Sequence, residues 1–204
     1  MLKLIFKINP QVPKLNFGTF YLTLAITMKK AILLLLFGGT TFLANAQKKI
    51  NPVIKSGGTM YEVPEAVSIA DKQMKYKIIV DLSKASDKPD SVNAAIDKLA
   101  RLVNLHHEAG IPTKNISIVA VFHFLATPNI LDDEAYSKKF GIKNPNTALI
   151  NELAANGVKF YVCGQSLRAR KLVDEKRNSN IQVAQSALLT FSTFQNKGYS
   201  LILP

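Results

Sequence analysis

From residue 76 onward the chain alternates between two hydrophobic rhythms. Lys77-Ile78-Ile79-Val80-Asp81-Leu82 is a short β-branched run closed by the polar segment 83–90, which predicts a buried strand. Val92, Ile96, Leu99, Val103 and His106 then recur at helical spacing, with Gly110 as the stop and Pro112 just beyond. The pattern repeats with a second strand over 116–122 and a helix over 145–156, opened by Asn144-Pro145 and ended by Gly157. Residues 126–143 lie between them, with a short helix expected over 131–140. Structureless loops of that length are uncommon unless functional, so this excursion reads as a lid. A third strand over 158–162 runs directly into Cys163-Gly164-Gln165-Ser166 and a helix over 167–173. Residues 181–184 form a fourth strand, 186–196 a helix carrying Leu188, Phe191 and Phe194 and capped by Gly198, and 199–203 a fifth strand.

Short apolar strands alternating with helices imply right-handed crossovers and a parallel sheet covered on both faces. The expected fold is therefore a single small doubly wound α/β domain over 76–204, with a mostly parallel five-stranded sheet and helices on both faces. Ahead of it, residues 47–75 carry Pro52, Gly57, Gly58 and Pro64 among polar residues without sustained periodicity. They read as a leader that either packs on the domain or stays mobile.

Met28-Lys29-Lys30, the apolar run 31–37 and Ala44-Asn45-Ala46 follow the order of a secretory signal: charged start, short apolar stretch, small-residue cleavage site. The apolar stretch is well short of the ~20 residues that cross a bilayer. Residues 28–46 are thus expected to be a cleaved signal, leaving Gln47 first, and residues 1–27 an upstream extension. The expected product is exported, periplasmic in a Gram-negative source, without stable membrane insertion after cleavage.

Charge and composition narrow the functions. The 204 residues carry 26 Lys and Arg against 14 Asp and Glu, a formal +12, but residues 1–47 contain five of the bases and no acid. The remainder has 21 bases and 14 acids, a net +7. Its densest cluster is Arg168, Arg170, Lys171, Lys176 and Arg177, without the interleaved aromatics that stack nucleic-acid bases. A solvated basic helix face is expected and no nucleic-acid partner. One cysteine excludes an intrachain disulfide and a Cys-only zinc site. The chain also lacks a GxxxxGK[ST] loop, a GxGxxG after a strand and a GxSxG elbow, so nucleotide and serine-hydrolase chemistry have no support. No cofactor is expected.

Ligands in such sheets bind outside the carboxyl ends of the strands, and Cys163 ends the third one. It also precedes a helix start, where free N–H groups and the helix dipole stabilise a thiolate. Gly164 permits a tight turn there. A thiolate so placed can hold a sulfane sulfur as a persulfide; a small buried apolar residue filling a strand end is the competing reading. His123 occupies the equivalent place after the second strand, either as a base or proton donor near Cys163 or as a residue capping the strand end. A metal site built on Cys163 and His123 needs ligands that the sequence does not name. His106 and His107, at the end of the first helix, read as structural or surface residues, and Asp132-Asp133-Glu134 as a helix N-terminal charge cluster.

The segment Gly157-Val158-Lys159-Phe160-Tyr161-Val162-Cys163-Gly164-Gln165-Ser166-Leu167 resembles the core motif of the DsrE/DsrF-like sulfur-relay family. The likeness extends through Asn144-Pro145-Asn146, Leu105-His106 to Gly110-Ile111-Pro112, and Val183-Ala184-Gln185-Ser186-Ala187-Leu188 to Gly198-Tyr199, from about residue 76 to 203. It implies a flavodoxin-like domain that assembles as trimers or hexamers. Some members carry sulfur between protein donors and acceptors as a cysteine persulfide. Cys163 would then be the sulfur-accepting residue, with Gly164, Gln165 and Ser166 shaping its loop. Two departures stand out. Phe124 follows His123 where relatives often have Gly, and the best understood relatives work in the cytoplasm. An exported sulfurtransferase or sulfur carrier is the leading expectation; a noncatalytic oligomeric module that binds a ligand or protein, with an unreactive cysteine, is the alternative.

Overall fold

A computed structural model describes residues 48–204; the upstream extension and export signal assigned to residues 1–46 lie outside the described residues. A two-residue antiparallel pair, β1 (Lys49–Ile50) and β2 (Met60–Tyr61), precedes the main sheet. That sheet comprises β3 (Tyr76–Leu82), β4 (Ile116–Phe122), β5 (Lys159–Cys163), β6 (Ile181–Ala184) and β7 (Ser200–Ile202). The order is β6-β5-β4-β3-β7 and every pairing is parallel. Counting these strands alone, the order is 4-3-2-1-5, whereas flavodoxin itself runs 2-1-3-4-5. The α/β architecture is the expected one, with its reversal of direction between the first strand and the last.

The helices are α1 (Ala94–Glu108), α2 (Asp133–Phe140), α3 (Thr147–Ala155), α4 (Gly164–Ala169) and α5 (Ala187–Asn196). Asn93 sets the start of α1 by accepting the Ala95 N–H at 2.9 Å, so Val92 lies outside the helix and is exposed. α3 starts two residues later than expected because Asn144 Oδ1 accepts the Asn146 N–H and holds those residues in a turn. α4 starts three residues earlier than expected, immediately after Cys163.

Strand period divides the core in two. Ile78, Val80, Leu82, Ile118, Ala120, Phe122, Phe160 and Val162 pack in one large cluster with Ile96, Leu99 and Val103 of α1 and Leu149, Ile150 and Leu153 of α3. Ile79, Val119, Val121 and Cys163 form a smaller cluster with Ala187 of α5.

Of the two outcomes open for residues 47–75, packing holds for 48–61. Ile54 is fully buried in the large cluster. Asn104 Oδ1 accepts the N–H groups of Val53 and Ile54 at 3.1 and 2.8 Å, while its amide donates to the carbonyls of Ile54 and Gly58, both at 3.1 Å. Gly58 has φ +67, and a Cβ there would lie 2.3 Å from the Arg101 nitrogen, so no side chain fits.

The excursion 126–143 is not a lid. A 3₁₀ helix, Phe124–Ile130, and α2 bury Ala126, Ile130, Leu131, Ala135 and Tyr136 in the large cluster, and the Tyr136 hydroxyl donates to the Pro89 carbonyl at 2.8 Å. This much buried apolar surface makes the segment part of the fold's foundation.

Candidate functional site

Parallel pairing brings the ends of β3, β4 and β5 side by side. The register ends at Phe122 opposite Val162, so His123 and Cys163 emerge next to each other, and Cys163 pairs with Ala184 on its other side. Asp81, one residue before the end of β3, belongs to the same face as Ile79 and so to the face that carries Cys163.

Cys163 is 5% exposed. Burial is the largest single influence on its thiol and raises the pKa; the Ser166 hydroxyl, then the N–H groups of Ser166, Ala187 and Gln165, act against it. Together they win, and the thiol sits below its ordinary value. These donors have a common origin: Gln165 and Ser166 lie in the first turn of α4 and Ala187 is the first residue of α5. Two helix starts thus flank the sulfur-bearing residue, α4 beginning at Gly164 and α5 at Ala187, which packs in the same small cluster as Cys163.

The Ser166 Oγ accepts the Phe124 N–H at 3.0 Å, which leaves the hydroxyl proton for the sulfur. That contact uses an unusual backbone, since Phe124 has φ +48, a region where a Cβ is crowded. The sequence departure after His123 is therefore a phenylalanine in a conformation suited to glycine. Its ring is exposed, and the Arg170 guanidinium lies 5.6 Å from the ring centre.

His123 Nε2–H donates to Asp81 Oδ1 at 2.9 Å, and Phe191 packs edge-on against the imidazole with ring centres 5.6 Å apart. With Nε2 committed to the carboxylate, Nδ1 of the neutral ring is left as an acceptor. The polar partner of His123 is Asp81, and no hydrogen bond joins it to Cys163. Asp81 went unrecognised in the sequence; the available signal was an acid after the buried apolar run Ile78-Ile79-Val80, near the end of the strand.

Gly164 does not make the expected tight turn. It has ordinary helical backbone, and its small size instead allows close approach: a Cβ would meet the Ala184 carbonyl at 3.0 Å. Gln165 reaches over the end of β6 toward the Gln185 carbonyl at 3.4 Å.

The remaining candidates are structural. Asp132 caps α2 by accepting the Ala135 N–H at 2.8 Å, and Asp133 accepts the Thr147 hydroxyl at 2.7 Å. Glu134 accepts from Lys138 at 2.8 Å and Lys176 at 3.0 Å, which hold its carboxyl down at about 2. His106 donates to the Leu102 carbonyl at 2.8 Å, and burial, followed by the neighbouring His106, lowers the pKa of His107. Among the described residues, no three His, Cys, Asp or Glu side chains gather as a metal site would require.

Fold and site define a three-layer α/β domain with a cysteine at a strand end whose thiol sits below its ordinary value. The model of the DsrE/DsrF-like family matches residues 74–204, and the chain belongs to that family. No curated protein matches the chain. Among solved structures it is similar to a protein of unknown function, MTH1491, from Methanobacterium thermoautotrophicum, with 19% identity over 63% of this chain and 99% of that one, at a TM-score of 0.48. It is also similar to the ychN protein from E. coli, with 13% identity over 63% and 99% of the two chains, at a TM-score of 0.45.

Proposed function

We propose that this protein takes up sulfane sulfur on Cys163 as a persulfide and passes it to a partner protein, acting as an exported, self-assembled member of its family. Export rests on the 28–46 pattern and self-assembly on the family resemblance. The observation that carries the chemistry is the place of Cys163, at the end of β5, immediately before α4 and packed with the first residue of α5, where Ser166 and neighbouring N–H groups hold the thiol below its ordinary value. The Cys163 thiolate attacks the outer sulfur of a donor persulfide, R–S–SH. The Cys163 S–S bond forms as the donor S–S bond breaks, and R–S⁻ leaves with the electron pair. The transferred sulfur keeps its oxidation state, so no further oxidant or reductant enters. The same donors then stabilise the negative charge of the bound persulfide. His123, oriented by Asp81, presents Nδ1 to accept or return a proton at the strand ends.

The test is intact mass before and after incubation with a sulfane-sulfur donor, combined with alkylation rates across pH. The expected result is a gain of one or more sulfur atoms, lost on reduction and absent in Cys163→Ser, with alkylation titrating below the ordinary thiol range. Loading retained in Cys163→Ser defeats the reading. The 5% exposure of Cys163 favours one alternative, an oligomeric binding module in which the thiol is inert core. A folded protein whose Cys163 neither alkylates nor loads decides for it.

A further inference from the structure

Among the described residues two that are not glycine have left-handed backbone, Phe124 and Lys171. Lys171 closes the end of α4, the usual place for that conformation, and the N–H groups of Lys171 and Leu172 bond back to the carbonyls of Arg168 and Leu167. Phe124 instead opens a 3₁₀ helix. Glycine would make the same bend without crowding, but the residue present is large, apolar and 60% exposed, and Leu125 after it is 45% exposed.

The backbone of Phe124 is fixed on both sides. Its N–H donates to the Ser166 hydroxyl oxygen at 3.0 Å, and its carbonyl accepts from the hydroxyl of the fully buried Thr127 at 2.7 Å. The Arg170 guanidinium backs the ring at 5.6 Å. A ring held in this way loses little freedom when a partner covers it, which separates an aromatic anchor from a stray exposed side chain. Phe124 also lies beside the thiol. It follows His123 at the end of β4, next to β5, and the Ser166 that holds it is three residues past Cys163 in the first turn of α4.

The neighbouring charge is basic. Residues 163–173 contain three bases and no acid. These three, Arg168, Arg170 and Lys171, form no ion pair among the described residues. A solvated basic face, the reading the sequence favours, accounts for the charges but not for a fixed, exposed ring among them. We propose that Phe124 and Leu125, with Arg170 against the ring, seat the protein with which Cys163 exchanges sulfur, through a surface of that protein that is apolar at its centre and acidic at its edge. This rests on the persulfide reading of Cys163 and adds the chemistry of the partner's surface. Apolar contact supplies the affinity of such a seat, and opposite charge steers the encounter.

Two synthetic peptides serve as probes, each with one cysteine persulfide between leucines, flanked by glutamates in one and by lysines in the other. Initial loading of the chain beginning at Gln47 is read by intact mass, with inorganic polysulfide as a donor that needs no docking. At low salt the acidic peptide is expected to load about tenfold faster than the basic one, with the ratio shrinking toward unity at high ionic strength. Phe124→Asn removes the ring but keeps a residue that tolerates left-handed backbone, and should slow the acidic peptide. Arg170→Glu should erase the ratio while polysulfide loading is unchanged. The same charge change at the exposed Lys98 of α1 should leave the ratio in place. The Arg170 side chain makes no hydrogen bond in the structure, so Arg170→Glu alone carries the test should Phe124→Asn lose its circular dichroism signature. A ratio near one in the unaltered protein, a ratio that survives Arg170→Glu, or an equal fall in Lys98→Glu overturns the docking surface and leaves the sulfur reading to the polysulfide result. A smaller assembly in either site variant by sedimentation makes the patch a contact between copies of this chain and also overturns it. If no donor loads, the sulfur reading fails, and fluorescence anisotropy of the acidic peptide with serine for cysteine then decides the surface separately. Binding that is lost in Arg170→Glu upholds it as a seat for acidic, apolar protein surface, and no binding overturns it.

Discussion

On one face of the sheet, alternate residues of β3, β4 and β5 meet α1, α3 and the 3₁₀–α2 excursion in a large apolar cluster. On the other face, Ile79, Val119, Val121 and Cys163 are covered by α5, a helix without a single charged residue whose Leu188 is 83% exposed. Polar groups differ in the same sense. Within the thick side, Asn93, Asn144 and Asn146 are buried and bonded to one another and to loop backbone, a network that fixes loops. At the strand ends of the thin side the polar groups are Asp81, His123 and the thiol, and the first two retain 18% and 23% side-chain exposure. Titratable groups are costly to bury and useful only where protons or ligands reach them. The layer that anchors the fold and the layer equipped for chemistry are separate, back to back on the same strands.

The largest expected effect tests which face anchors the fold. Phe122 is fully buried and stacks on Phe160 with ring centres 5.8 Å apart. Phe122→Ala should cost about 3–5 kcal/mol in urea unfolding. Ile79 is equally buried on the thin face, where a single helix leaves room to relax, and Ile79→Ala should fall near the lower end of the aliphatic range, about 2 kcal/mol. Equal losses at the two sites would break the comparison. Next in size is Asn104→Ala, at about 2 kcal/mol, because it strands the Val53 and Ile54 N–H groups beneath the docked segment. It should also expose residues 48–61 to limited proteolysis; unchanged protection would mean that Ile54 and the bonds to Glu152 and Asp97 hold that segment without Asn104.

The thick face was legible in the sequence wherever structure is periodic. β3, β4 and α1 announce themselves by β-branched runs and a stripe at helical spacing, and Asn and Gly caps mark several ends. Residues 48–61 were not legible as part of the domain. They dock through Ile54 and through backbone groups bonded to Asp97, Asn104 and Glu152, some forty to a hundred residues away, and neither leaves a period. The 3₁₀ stretch Phe124–Ile130 escapes for a related reason, since its buried positions follow no helical stripe. At the site, Cys163 was visible as a thiol between a strand and a helix. Its donors were only half visible: Ser166 is three residues on, whereas Ala187 arrives by a crossover and Asp81 through β3–β4 pairing. Sequence shows what a strand end carries; the crossovers decide what meets it.

The smallest effect concerns strain at the join between the faces. Phe124 sits at φ +48 with its N–H held by Ser166. Phe124→Gly and Phe124→Ala both delete the ring and its contact with Arg170, so the difference between them isolates the backbone. A Cβ in the left-handed region costs about 1–2 kcal/mol, while glycine loses about 0.5–1 kcal/mol more entropy on folding. The glycine variant should therefore be more stable than the alanine variant by roughly 0.5–1 kcal/mol in paired urea titrations. It should also retain the depressed Cys163 titration, because the backbone N–H that occupies the Ser166 oxygen is still in place. An alanine variant of equal or greater stability would mean that the loop leaves the left-handed region once the ring is gone. In that case the aromatic ring on Arg170, rather than the Ser166 contact, holds the loop against the thiol.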